Sequence, residues 1–526
     1  MTEPSAERIK REKDGLDVWT DIVGYSRTGF ESINSDDMDR FKWYGLYSQR
    51  PIEDKRFMLR IKIPNGTVSS HQLETIGWLS EFYARSSGDI TTRQDIQLHH
   101  IRIEDVPHIF DELEGIGLTT QEACGDAVRN VVGCPLAGVD DDQLFDASPL
   151  VDRVSRLFLT DRNFSNLPRK FKVSISGCDQ QCAQHEINDI GLVAVTNDDH
   201  GIGFDLWVGG GLGARPRLAD RLGVFIWYDE VTEVITRIVE MFRDHGDRSD
   251  RKKARLKFLL AKWGPDRFRQ ELEGRLGRKL VDLPQLSAMK ARRNHVGVGA
   301  QRQPGLHYIG VAVLAGRISG SQMISVAGLA RRYAAGRVRF TNSQNLIVLD
   351  VPTANVQRLN ESLAELGLES NGSVFRRGTV ACTGKQFCKL AVVETKDRAA
   401  EVVNYLEETL PGFNSDVRIS VTGCINSCAQ YQICDIGLVG VIGQVSGIET
   451  EFFQIHLGGH LGGSAAFGRK LSRRVKVDEA KFYLERVIRA FQHTRREDET
   501  FSQFVWRLDR TELEVLDRIS EVAEVA

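Results

Sequence analysis

A duplicated α+β protein with pseudo-twofold symmetry is what this sequence predicts, on two observations. One strand–helix–strand pattern occurs twice. It runs R-F-M-L-R-I-K-I-P-N-G (56–66), an amphipathic stretch, then D-I-T-T-R-Q-D-I-Q-L-H-H-I (89–101). It returns as G-L-H-Y-I-G-V-A-V-L-A-G-R (305–317), an amphipathic stretch, then R-V-R-F-T-N-S-Q-N-L-I-V-L-D (337–350). The second observation is sharper: S-I-S-G-C-D-Q-Q-C-A-Q-H-E-I-N-D-I-G-L-V (174–193) aligns with S-V-T-G-C-I-N-S-C-A-Q-Y-Q-I-C-D-I-G-L-V (420–439). W-V-G-G-G-L-G (207–213) then echoes H-L-G-G-H-L-G-G (456–463). Separations this long exclude a solenoid of short repeats. Two matched halves place a site between them.

Within the first block, Phe57, Leu59, Ile61 and Ile63 alternate with polar or long residues, the pattern of a half-buried strand. Leu73, Ile76, Leu79 and Phe82 recur at helical spacing and are expected on one apolar face, as are Met323, Val326, Ala330 and Tyr333. The polar, Arg- and Lys-rich stretch around 265–300 reads as the connection between halves.

The 526 residues are enough for two to four folding units. Composition is that of an ordinary globular protein, 41% hydrophobic and 27% charged. A net charge of −3 gives no global field toward nucleic acid or a membrane surface. The basic run Arg251-Lys252-Lys253-Ala254-Arg255 is read as a solvated helix face. No apolar stretch of about 20 residues predicts a membrane span. The first residues, M-T-E-P-S-A-E-R-I-K-R-E-K-D-G, have no apolar core of a secretory signal. Nine cysteines without such a signal argue for a reducing, cytoplasmic setting with free or metal-bound thiols.

Four of those cysteines form two tight pairs: Cys382 and Cys388 in C-T-G-K-Q-F-C, and Cys424 and Cys428 in C-I-N-S-C. Such a set selects soft metals or clusters over hard cations. Structural zinc usually uses pairs two to four residues apart, and the first pair has five residues between. Spacing alone favours an iron–sulfur cluster and leaves zinc or unliganded buried thiols open.

With these motifs, from F-K-W-Y-G-L-Y at 41 to the Gly-rich block near 463, the chain resembles the siroheme- and 4Fe–4S-containing nitrite and sulfite reductases. The resemblance implies a pseudo-twofold fold of two ferredoxin-like half-domains plus two α/β siroheme/cluster domains. It implies Cys382, Cys388, Cys424 and Cys428 as cluster ligands, with Cys428 also bridging to the siroheme iron. Arg60, Arg129, Lys170 and Lys172 match the residues lining the distal face of siroheme, where the substrate anion binds. Each alone reads as a solvated strand charge; Arg60 lies on the strand face opposite Leu59 and Ile61, and Lys170 and Lys172 share a face. Arg93 in T-T-R-Q matches a residue that holds the macrocycle's carboxylates, a task suited to a bidentate guanidinium. Tyr47 and Cys124 match positions joined by a thioether bond in some sulfite-reducing members.

On this reading the chain is an assimilatory enzyme reducing sulfite to sulfide with six electrons. The alternative is nitrite to ammonia, and the remote one a non-catalytic iron–sulfur protein. Lys172, where nitrite-type members tend to carry Asn, and Tyr47, where they tend to carry Phe, favour sulfite. C-T-G-K-Q-F-C and the following V-V-E-T-K lean toward nitrite-type members. No G-x-G-x-x-G opens a βαβ unit, so electrons are expected from a separate protein, ferredoxin, docking on a local basic patch. The chain is expected to act as a monomer. The expected domains are an N-terminal extension (1–40), a first ferredoxin-like half-domain (41–110) and a first siroheme-binding α/β domain (111–265). A linker (266–298), a second half-domain (299–360) and a 4Fe–4S/siroheme domain with C-terminal helices (361–526) follow. Among the first-half cysteines Cys124, Cys134, Cys178 and Cys182 a second cluster is conceivable, but Cys124 and Cys134 have the wrong spacing, and these thiols, like Cys434, are read as buried small hydrophobes left over from the duplication.

Overall fold

The computed structural model describes residues 3–284 and 293–522; part of the expected linker, 285–292, lies outside them. The duplication is visible as four sheets in two matching pairs.

The first pair is antiparallel. One sheet orders Leu46–Ser48, Phe57–Ile61, Ile96–Ile101 and Gly88–Ile90, and is completed by Arg317–Ile318 from the second half. The other orders Gly297–Ala300, Leu306–Val311, Leu346–Pro352 and Arg337–Phe340, and is completed by Thr67–Ser69 from the first half. Each repeat therefore lends the other an edge strand, which covers backbone groups that an open edge leaves unpaired. The stretches 89–101 and 337–350, each expected as a single strand, are hairpins instead. The turn T-T-R-Q-D separates Gly88–Ile90 from Ile96–Ile101, with Gln94 at positive φ and Arg93 at its tip.

The helices Ser70–Tyr83 and Gly320–Tyr333 cross between these sheets, each opened by a capping box, Ser69 with Gln72 and Ser319 with Gln322. They approach closely: a Cβ on Gly77 would lie 2.9 Å from the Gly320 carbonyl oxygen, and one on Gly320 2.7 Å from that of Gly77. Leu73, Ile76 and Leu79 are buried as expected, and so are Met323, Val326 and Ala330, with Tyr333 packed at the margin. Phe82 departs from the expectation and is 73% exposed. A step of three residues turns about 300°, so nine residues carry Phe82 to the side opposite Leu73. Both half-domains contribute to one continuous core.

The second pair of sheets is mixed. Val132–Gly133, Val173–Ser176 and Ile190–Asn197 run parallel, then Gly201–Val208, Asp220–Ile226 and Val281–Asp282 continue antiparallel. The counterpart repeats the order with Thr379–Ala381, Ile419–Thr422, Ile436–Val445, Ile448–Leu457 and Arg469–Lys476. Within the stretch read as linker, Pro265–Leu276 is a helix that buries Phe268 and Leu272 in the first α/β core. No helix among the described residues is long and apolar enough to cross a membrane.

Candidate active site

Parallel strands gather ligands at their carboxyl ends, and all four cysteines of the two pairs lie there. Cys382 directly follows Thr379–Ala381, and its N–H donates to the Val421 carbonyl at 3.1 Å. Cys424 and Cys428 occupy the loop after Ile419–Thr422, which turns at Ser427 with positive φ. The Cys382 Sγ accepts the Gly423 N–H at 3.2 Å. Cys382, Cys388 and Cys424 are half-buried and Cys428 is exposed. Burial, then the neighbouring Cys428, pushes the Cys382 thiol up to about 12, and burial raises Cys388 and Cys424. Free thiols here keep their protons; a bound metal displaces them.

Facing Cys428 is a cup of cations. Arg60 Nη1 lies 3.0 Å from the Cys124 Sγ, and its guanidinium carbon is 6.0 Å from the Tyr47 ring centroid. Arg129 is held by backbone carbonyls, through Nε and Nη2 to Gly125 (3.1 and 2.5 Å) and Nη1 to Ala123 (3.1 Å). Arg93 donates to Asn188 Oδ1 at 2.8 Å and to the Asn130 carbonyl, while its buried Nε has no partner. Burial and then Arg255, Arg169 and Arg129 lower Lys170 to about 7. Lys172 is driven well down by burial and then by Arg93 and Lys170. Arg93 is lowered to about 10, burial first. Among the described residues none of Arg60, Arg93, Arg129, Lys170 and Lys172 has a carboxylate within ion-pair distance. Asp95 and Asp189 act on Arg60, Arg93 and Lys172 only from beyond that distance, so the crowded cations are left to take up an anion. Thr92 Oγ1 donates to the Cys428 carbonyl at 3.0 Å and ties this cup to the thiol loop.

The sequence matches the family model described as "Nitrite and sulphite reductase 4Fe-4S domain" over residues 124–280 and 374–522. This chain belongs to that family. The model "Nitrite/Sulfite reductase ferredoxin-like half domain" accounts for residues 50–116 and 299–366 of this reductase. A sulfite reductase (ferredoxin) of Mycobacterium tuberculosis is 42% identical, with 96% of this chain and 95% of that protein covered. An assimilatory ferredoxin-dependent nitrite reductase of Haloferax mediterranei is 36% identical (98% and 93% covered). The ferredoxin–nitrite reductase of Leptolyngbya laminosa is 37% identical (92% and 96% covered). The structure of the NirA protein of M. tuberculosis superposes with a TM-score of 0.94 at 41% identity, covering 98% of both chains.

The reductase's side chains fit both groups that its family implies. Four thiols on adjoining loops suit an iron–sulfur cluster. Unpaired cations with an orphaned Arg93 Nε suit a polycarboxylate tetrapyrrole. All the expected site residues come together, Tyr47 beside Cys124 included. The sequence reading missed their supports. Arg255 pairs with the fully buried Asp189 at 2.7 Å, and Asp189 also accepts the Lys172 N–H at 2.9 Å. Arg251 pairs with buried Asp126 at 2.8 Å. The run 251–255 is a turn and not a helix face: Arg251, Lys252 and Lys253 are exposed as expected, while Arg251 and Arg255 reach back to two buried carboxylates distant in sequence. The Gly-rich blocks pack backbone on backbone: a Cβ on Gly210 would lie 2.4 Å from the Glu186 carbonyl oxygen, and on Gly459 2.4 Å from that of Gln432. The cup has a repeat counterpart, a cavity of about 770 Å³ lined in part by Arg377, Arg418, Gln430 and His460. There Arg418 donates its N–H to Asp435 as Lys172 does to Asp189.

Proposed function

We propose that this chain is an assimilatory, ferredoxin-dependent sulfite reductase acting as a monomer in the cytoplasm. It takes sulfite to sulfide with six electrons and releases three waters. The observation that carries the reading is the cup of five unpaired cations opposite Cys428, in a chain alike over nearly its whole length to sulfite reductases (ferredoxin).

Cys382, Cys388, Cys424 and Cys428 would hold a 4Fe–4S cluster, and Arg93 would answer the carboxylates of siroheme. Siroheme, if bound, would supply the iron at which the anion is reduced, and Cys428 is the thiol that would lie between it and the cluster. Arg60 and Arg129 stand where negative charge gathers on the anion's oxygens, in a setting where fixed donors act strongly. Arg129 is fixed there by the Gly125 and Ala123 carbonyls. Lys170, lowered to about 7, is poised to give and regain protons near neutral pH as oxygens leave as water. Lys172 adds the second ammonium, which suits sulfite, the more highly charged of the two anions.

Arg60 bridges Tyr47 and Cys124, and burial holds the Tyr47 phenol up at about 12. A thioether between them is part of this reading: the Cys124 S–H and a Tyr47 ring C–H break, a C–S bond forms, two protons and two electrons pass to a two-electron oxidant such as dioxygen, and the linked peptide is two hydrogens lighter than the sum of the separate ones. The nitrite alternative has its own support in relatives named for nitrite at 36–37% identity. Turnover with reduced ferredoxin, at matched sulfite and nitrite concentrations, decides. Sulfite consumption at the higher kcat/KM is expected, and faster nitrite consumption reverses the assignment.

A further inference from the structure

The cysteines read as leftovers of duplication do not lie apart. Cys134 follows Val132–Gly133, and Cys178 and Cys182 follow Val173–Ser176. Cys382, Cys424 and Cys428 stand at the same positions of the other half. Six residues after Cys382 comes Cys388; six after Cys134 comes Asp140. The first half thus keeps the frame of the cluster site with one ligand changed.

What it has gained is an imidazole. The ligand atoms of Cys134, Cys182 and His295 all lie within 4.8 Å of one another, and so do those of Cys134, Cys178 and Asp140. Cys134 belongs to both groups and sits at their centre. The three cysteines are 1–3% exposed and His295 6%, and the buried His295 Nε2 has no hydrogen-bond partner. The Asp140 carboxylate also lies within 4.8 Å of the Cys134 and Cys178 sulfurs, but it is engaged by Arg293 in an ion pair. The Cys134 Sγ accepts the Leu136 N–H at 3.4 Å, the kind of contact that steadies a ligating thiolate. The backbone of His295 is locked as well, since its carbonyl oxygen would lie 1.7 Å from a Cβ on Gly310.

We propose that Cys134, Cys178, Cys182 and His295 hold a single zinc ion. The size of the site decides for one ion over a second cluster. Tetrahedral zinc with Zn–S of about 2.3 Å sets its sulfurs about 3.8 Å apart, and a cube needs them farther out. No three of Cys382, Cys388, Cys424 and Cys428, all described, meet the 4.8 Å limit that two first-half trios meet. Cys178 shares no trio with Cys182 or with His295, so closing on one ion draws its sulfur in by about 1 Å or more. Three thiolates and a neutral imidazole are a soft, closed set with no open position, the donor set of structural zinc. His295 sits just before Gly297–Ala300, the first strand of the second half, while the thiols belong to the first. The ion clasps the re-entering chain to the domain it has just left.

The test is metal analysis of the holoenzyme, untagged and purified without chelator from zinc-replete cells, with zinc-edge X-ray absorption. One zinc per chain is expected, with three sulfurs at about 2.3 Å and one nitrogen at about 2.0 Å. Cys182→Ser and His295→Ala each lose the zinc and leave the iron count unchanged, which separates this site from the cluster. Should neither variant accumulate, the absorption spectrum of the unmodified enzyme decides alone. Absent zinc, or a shell of oxygen and nitrogen only, overturns the proposal. So does iron in excess of one siroheme and one cluster that Cys182→Ser removes, because it marks a second cluster.

Discussion

The two halves carry the same cysteine loops to opposite ends. In the first half Cys134 and Cys182 are sealed beneath side chains such as Leu136, Ile347 and Leu349, and Cys178 is as deeply buried. In the second half three thiols are half-buried, and Cys428 is open toward five cations. One parallel-strand frame therefore serves two tasks. Closed over, it suits a small ion that stiffens the chain. Left open, it suits a larger group that must exchange electrons with what lies on either side. The flanking charges diverge with it: Arg255 braces Asp189 behind the reactive cup, and Arg418 itself fills the equivalent place beside Asp435.

The contrast can be broken most severely at Cys428. Cys428→Ser is expected to abolish turnover and the coupling between cluster and siroheme, read by visible and electron paramagnetic resonance spectra. Sulfite reduction that persists at the parent rate would sink the assignment of the open loop. Next comes Lys172→Ala, which should lower kcat by about 10²–10³-fold with both cofactors still bound, the scale of removing one preorganised charge donor. Arg255→Gln leaves Asp189 buried without its partner. A loss of about 3–5 kcal/mol is expected in denaturant or thermal unfolding, and an unmoved midpoint would show that the pair is dispensable.

A subtler probe is pH. Lys170 donates only while protonated, and burial brings its titration down to about 7. Turnover should therefore fall as pH rises through that value, and Lys170→Arg, which cannot release its proton, should lower turnover throughout and remove the alkaline limb. A limb that survives the change belongs to another group. The smallest effect sharpens the comparison. Cys182→Ser, in the sealed loop, is expected to change sulfite turnover by less than about twofold at 25 °C, since it lies outside the reacting site.

What could be read from the sequence followed from short-range signals. The repeated Gly-Cys loops, the five-residue gap between Cys382 and Cys388, and the Lys170–Lys172 spacing are all local, and each leads to the site. The partners of those residues are not local. Nothing near Arg255 announces Asp189, and nothing near His295 announces Cys182, because such contacts form only once sheets and loops are stacked. The exchange of Thr67–Ser69 for Arg317–Ile318 was hidden for the same reason: two- and three-residue strands carry no periodicity. Phe82 misled because a three-residue spacing resembles a helical stripe over one turn and drifts off it over three.

That mutual loan of strands also sets an order of events at the ribosome. Gly88–Ile90 finds its outer neighbour only when Arg317–Ile318 has been synthesised, more than two hundred residues later. Until then the nascent chain presents a bare sheet margin, so the interval between those segments is when it has most need of a chaperone.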